Sequence, residues 1–165
     1  MYKPWFIEAV RSKKLEASLF KRIAEEFRVS LTAAALRFAE LYKGAMAVIL
    51  SNNKRIAWTA YNKNFLYPRL YKNDLLPLNN RIYDIYDKLM PANYVENKIL
   101  KQIGYKQFIK MKNDYLASLD KTIIVDSSDW FSNNSETEQT FFYQIDFPMR
   151  NYNSVLTVLW ESEFC

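Results

Sequence analysis

Apolar positions recur at helical spacing through the first 44 residues, and the period then changes. Trp5, Phe6, Ala9 and Val10 form an i, i+1, i+4, i+5 stripe behind Pro4, a residue suited to the first turn of a helix. Lys13 and Lys14 follow where a helix C-terminus favours cations. Leu19, Phe20, Ile23, Ala24 and Phe27 predict a second helix from about Glu16 to Phe27. Arg28 and Val29 make the turn, and Ser30 suits the N-cap of a third helix. That helix runs from Leu31 to about Lys43, is ended by Gly44, and turns Leu31, Ala34 or Ala35, Phe38 and Leu41 inward.

Beyond Gly44 the chain reads as strands. AMAVILS, a polar NNK and RIAWTAY predict a hairpin, with Val48, Ile49, Ile56, Trp58 and Tyr61 on its apolar face or faces. Residues 62–80 carry Asn, Leu, Tyr and Pro and read as a loop or an irregular crossing. Ile82, Ile85, Tyr86 and Leu89 fit one helical face stopped by Pro91, and Tyr94 to Ile103 and Phe108 to Leu119 are further helical stretches. KTIIVD at 121–126 has the β-branched density of a strand. Glu138 to Ile145 and Ser154 to Trp160 predict two strands joined around Phe147-Pro148-Met149-Arg150. The expected class is α+β: an N-terminal three-helix helix-turn-helix head over residues 1–44, then a mostly antiparallel sheet with helices over residues 45–165.

Composition narrows the chemistry. With 165 residues, half of them hydrophobic and 16% aromatic, the chain can fill a core. The longest apolar run, Ala45 to Leu50, is too short to span a bilayer, and the N-terminus lacks the apolar stretch of a secretory signal. Cys165, the one cysteine, has no partner for an internal disulfide, so the chain reads as cytoplasmic with no membrane partner. There is no histidine, which removes the commonest metal ligand and general base. We expect no catalytic residue, no metal and no cofactor. Charge is split: residues 1–125 carry 22 Lys and Arg against 11 acids, net +11, whereas residues 126–165 carry one against seven, net −6. Such a division lets a basic body meet an acidic partner or lets the two regions attract within one fold.

Phe20 to Arg37 has the pattern of a helix-turn-helix, although Arg28 stands where the turn usually has glycine. The outer face of the third helix presents Thr32, Ala33, Leu36, Arg37 and Glu40. A base-reading face needs reaching polar or basic side chains, so this one favours protein contact. Lys13, Lys14, Lys21, Arg22 and Arg28 keep DNA as an alternative partner through phosphates, with Ser30, Thr32 and Arg37 nearest the duplex.

Other constellations read as structure. Glu136 and Glu138 sit beside Asn133, Asn134 and Ser135 in an exposed loop, and Asp126 and Asp129 cap a turn rather than bind a divalent ion. Gly44 and Gly104 are too few for a phosphate cradle. Tyr61, Tyr67, Tyr71, Tyr83, Tyr86, Tyr94, Tyr105 and Tyr115 fall among lysines; they suit a half-buried surface better than base stacking.

The run IAEEFRVSLTAAALRFAEL, followed by a small apolar strand, a polar turn and RIAW, resembles the ImmA/IrrE family of metallopeptidases. It is similar to the segment just after that family's zinc-peptidase half, and MYKPWF is similar to the stretch following its catalytic fold. Trp130 with TEQTFFYQIDFPMRNYNSVLTVLW is similar to the family's C-terminal pattern. The two ends cover roughly residues 1–61 and 126–160. The family's His-Glu-x-x-His zinc helix has no counterpart in a chain without histidine.

What the resemblance implies is a non-catalytic regulatory module, a helix-turn-helix followed by a GAF- or PAS-like sensor domain. The partner would be a protein, namely the missing peptidase half, a repressor or a second copy in a homodimer. A small-molecule ligand held against the sheet would meet Trp58, Phe142 and Trp160. The alternatives are a DNA-binding regulator and a subunit of a zinc peptidase whose catalytic half is on another chain.

Overall fold

Left-handed backbone conformations at Arg28 and at Asn53-Lys54 set two corners of the N-terminal half. The structure is a computed structural model and describes residue 7 and residues 15–78, 80–89, 102, 104–131, 140–149 and 153–161. Helix α1 (Ala17–Glu26) ends at Phe27 and turns through Arg28, whose φ is 51°. The Arg28 N–H donates to the Glu25 carbonyl at 3.1 Å and the Val29 N–H to the Ala24 carbonyl at 2.9 Å, which is the Schellman closure with arginine in the glycine position. Ser30 then caps α2 (Leu31–Leu41), its Oγ accepting from the Ala33 N–H at 3.1 Å. Of the three helices expected before Gly44, these two are described. The first falls on residues 1–14, of which the structure describes Ile7 alone, so that helix lies outside the described residues.

Gly44 does not end α2 in the way expected. The helix leaves through Tyr42 in extended conformation, and no positive φ is needed at Gly44. What the glycine allows is close approach, because a Cβ there would lie 2.9 Å from Cε1 of the Tyr42 ring.

Strands β1 (Met46–Asn52) and β2 (Arg55–Tyr61) form the expected hairpin. Asn53 and Lys54 both have positive φ, 47° and 64°, the signature of a two-residue type I′ turn. Register slips beside Leu50, with Leu50 opposite Trp58 and Ser51 opposite Ile56, so Ala57 is bulged. The bulge turns Ile56 and Trp58 to opposite faces, where a regular strand would keep residues i and i+2 together.

Helices α3 (Arg81–Leu89) and α4 (Tyr105–Leu119) follow, then β3 (Ile123–Asp126), a 3-10 turn (Ser127–Asp129), β4 (Phe141–Pro148) and β5 (Ser154–Glu161). The helical stretch expected at Tyr94 to Ile103 lies outside the described residues except for residue 102, and Glu136, Glu138 and Cys165 lie wholly outside them. The strands make one antiparallel sheet in the order β2-β1-β5-β4-β3, so the class is α+β. Among the described residues no helix is long and apolar enough to cross a membrane.

Each face of the sheet has its own core. On one face α1 and α2 pack Phe20, Ile23, Ala34, Ala35 and Phe38 against Met46, Val48, Ile145, Phe147, Leu156 and Val158. The Phe20 ring lies 4.6 Å from Phe38 and 5.8 Å from Phe147, centroid to centroid. The helix pair therefore shares its core with the sheet. The other face carries Ala47, Ile49, Ile56, Phe142, Val155 and Leu159 beneath α3 and the loop residues Phe65 and Leu76.

The two strained turn residues differ in what their side chains do. Arg28 is exposed, whereas Lys54 reaches Asp87 at 2.6 Å and lies 4.8 Å over the Tyr83 ring. Arg28→Gly is expected to raise stability by roughly 0.5–1 kcal/mol, or about 1–4 °C in Tm, by removing left-handed strain. Lys54→Gly, which also discards the link to α3, is expected to give no gain; paired thermal melts check the contrast.

Candidate functional site

Strand β4 carries two polar residues where its alternation calls for apolar ones. Phe142, Gln144 and Asp146 all point to the α3 face, and both polar side chains are buried. A carboxylate there must find hydrogen bonds or lose its charge. Asp146 finds two donor groups and one more distant cation. The Thr157 hydroxyl on β5 donates to Oδ1 at 2.7 Å, and the Gln144 amide donates to Oδ1 and Oδ2 at 3.0 and 2.8 Å. The Arg81 Nε approaches Oδ2 at 3.8 Å, an ion pair too long for a hydrogen bond. Thr157 lies directly opposite Asp146 in the ladder, so strand pairing alone supplies its best donor.

The cluster extends into the helices. Gln144 Oε1 accepts from the Trp130 indole N–H at 2.9 Å, which fixes the amide orientation. Asn80 caps α3, its Oδ1 accepting from the Ile82 N–H at 3.1 Å and from Gln144 Nε2 at 3.5 Å. The capping role commits the oxygen and leaves Asn80 Nδ2, buried, with no hydrogen-bond partner among the described residues. Arg81 spreads its guanidinium over the Lys121 and Ser118 carbonyls at 3.4 and 3.3 Å, tying α3 to the end of α4. Nearby on the same face, Ser51 and Tyr86 share a hydroxyl–hydroxyl bond of 3.0 Å.

Burial sets the protonation behaviour. Desolvation pushes the Asp146 pKa up, against the pull of Thr157, Gln144 and Arg81, in that order. Burial likewise raises Tyr86, and burial followed by the charge of Asp84 pushes Tyr115 up to about 12. Both phenols are therefore neutral near pH 7. Among the described residues no group of three His, Cys, Asp or Glu side chains is placed to hold a metal ion. The arrangement orients buried polar side chains against one another through donors and acceptors held in place by the sheet.

The residues singled out in the sequence are scattered. Lys21 pairs with Asp120 at 2.5 Å, Arg22 and Arg28 are exposed, Ser30 is the α2 cap, and Thr32 is half-buried. Arg37 is engaged by Glu40 one turn on, which occupies the one basic side chain of the outer α2 face. Trp58 and Trp160 lie on the helix-pair face, with Trp160 stacked on Tyr143 at 5.6 Å, whereas Phe142 is on the α3 face. The three do not line one pocket. Asp126 and Asp129 form the expected cap: Asp126 Oδ1 accepts from the Ser128 N–H at 2.8 Å, and Asp129 Oδ2 from the Asp126 N–H at 3.2 Å.

Asn80, Arg81, Gln144, Asp146 and Thr157 were not legible as a group. Their one sequence signal is local: QID inside FFYQIDFP puts two polar residues two apart, on one face of an otherwise apolar strand. No family model matches the chain, and no curated protein matches it.

Thr157→Val is expected to lower stability by about 1.5–3 kcal/mol, because a buried carboxylate loses a charge-assisted hydrogen bond. The sign of the pH dependence follows from the raised Asp146 pKa. The native state holds this proton more tightly than the unfolded chain. The ionisation penalty is therefore absent below the ordinary aspartate range, grows as pH rises, and is complete above the raised native value. Denaturant melts across pH should show the wild type losing stability relative to Asp146→Asn over that interval.

Proposed function

We propose that the chain is a non-catalytic regulatory module: a helix pair of helix-turn-helix type carried on a GAF- or PAS-like sensing sheet. It is of the kind that follows the zinc-peptidase half in the ImmA/IrrE family. The reading rests on one observation above the others. The sheet order β2-β1-β5-β4-β3 sets the terminal hairpins side by side and sends the β2-to-β3 crossover over one face, with a hydrogen-bonded polar cluster buried beneath it. That is where a sensor of this fold holds its ligand. Asn80 Nδ2 supports it further, since a buried donor without a partner costs about 1–3 kcal/mol until an acceptor arrives.

Strand β4 offers the route between sensing and output. Gln144 and Asp146 face the polar cluster, while Ile145 and Phe147, the alternate residues of the same strand, face α1 and α2. A ligand that shifts β4 by a fraction of an ångström shifts the Phe147–Phe20 contact with it. The output is contact with a protein, and a separate peptidase chain is the partner that the resemblance implies.

The test is a thermal-shift screen of the chain against small polar metabolites, with and without the product of a neighbouring reading frame that encodes a His-Glu-x-x-His helix. The expected result is a saturable stabilisation that Asn80→Ala abolishes. No shift with any compound at saturation, together with no binding to such a peptidase, would remove the reading.

A further inference from the structure

The two outer edges of the sheet are treated differently. The start of the β2 edge is covered by the chain itself: the Ile56 N–H donates to the Asp74 carbonyl at 2.9 Å, the Asn73 N–H to Ile56 at 2.8 Å, the Leu76 N–H to Lys54 at 3.0 Å, and Leu75 bridges Arg55, while Thr59 and Tyr61 further along bond the Leu70 carbonyl through their hydroxyls. The opposite edge is β3, and among the described residues no strand pairs with its outer side. Proteins protect such edges with charges, prolines or covering segments. Here the four residues are Ile-Ile-Val-Asp, and Ile124 is 64% exposed. Phe141, opposite Asp126 on β4 and on the same face as Ile124, is 47% exposed. An open edge flanked by an apolar patch is a surface built to be extended.

We propose that the β3 edge is a dimer interface, in which β3 of a second copy adds antiparallel and joins the two sheets into one. Charge favours a second copy as the occupant. Lys121 opens the strand beside Asp120, whose charge Lys21 matches, while Asp126 and Asp129 close it, so antiparallel self-pairing sets the net basic start of each copy beside the acidic end of the other. The boundary between the basic region to residue 125 and the acidic region from residue 126 falls within this strand.

Symmetry then selects the register. A two-fold axis normal to the sheet keeps each residue on its own face, so residues of like parity must oppose each other. Centring on Ile123 would oppose Asp120 and Asp126, two like charges, and centring on Val125 would oppose Ile124 and Asp126. Centring on Ile124 opposes Ile124 to itself, Ile123 to Val125 and Thr122 to Asp126. This pairing buries the exposed isoleucine and closes the assembly at two copies.

Sedimentation velocity on the full chain tests this directly, with Cys165→Ser as background for cysteine variants. The expected result is a dimer whose dissociation constant rises at least tenfold in Ile124→Lys, with the native thermal melt retained. Ile124→Cys should form an intermolecular disulfide on mild oxidation, because directly opposed Cβ atoms stand about 4.5–5.5 Å apart. Val125→Cys, offset from its own copy, should not. A chain that stays monomeric at high concentration, a dimer indifferent to Ile124→Lys, or equal cross-linking at 124 and 125 would overturn the proposal.

Discussion

The interaction on which the rest of the structure depends is the solvation of Asp146 by protein. Placing a carboxylate in the middle of a sheet face is unfavourable by several kcal/mol unless donors replace the lost water. Two strands supply them, β5 through Thr157 and β4 itself through Gln144, and the start of α3 adds the charge of Arg81 at longer range. Gln144 can serve only because Trp130 holds its oxygen and leaves its amide free to donate. Arg81 in turn fastens α3 to the end of α4. A shift of any one of these elements alone would leave a buried polar group unsatisfied, so the crossover and sheet are fixed together.

The opposite face works by a different physics. Between the helix pair and the sheet the contact is apolar, with alanines at 34, 35 and 39 letting α2 approach closely and Phe20 and Phe38 filling the space between α1, α2 and β4. Apolar packing has no directional demand and tolerates small sliding, while the polar face tolerates almost none.

Several local features were readable because they are decided by neighbours in sequence. The α1–α2 turn, the Ser30 cap, the hairpin at Asn53-Lys54, helix α3, the strand at 123–126 and the Asp126–Asp129 cap all follow from short-range spacing and backbone preference. Trp58 shows where that reading stops. Its parity with Ile56 predicts a shared face, and a bulge at Ala57, set by pairing to β1, separates them. Trp160 and Phe142 show the same limit, since the face each takes depends on the register of β4 with β5.

By itself the sequence determined the class of elements, the absence of histidine chemistry, and the charge division that ends at residue 125. These depend on composition and on residues a few positions apart. The tertiary structure alone decided that Asn80, Gln144, Asp146 and Thr157 meet, that the helix pair shares a core with the sheet, and that β2 is covered where β3 is not. Asn80 and Thr157 stand 77 positions apart in the chain. Hydrogen-bond satisfaction is a property of three-dimensional neighbours, so only strand order and register could bring such groups together.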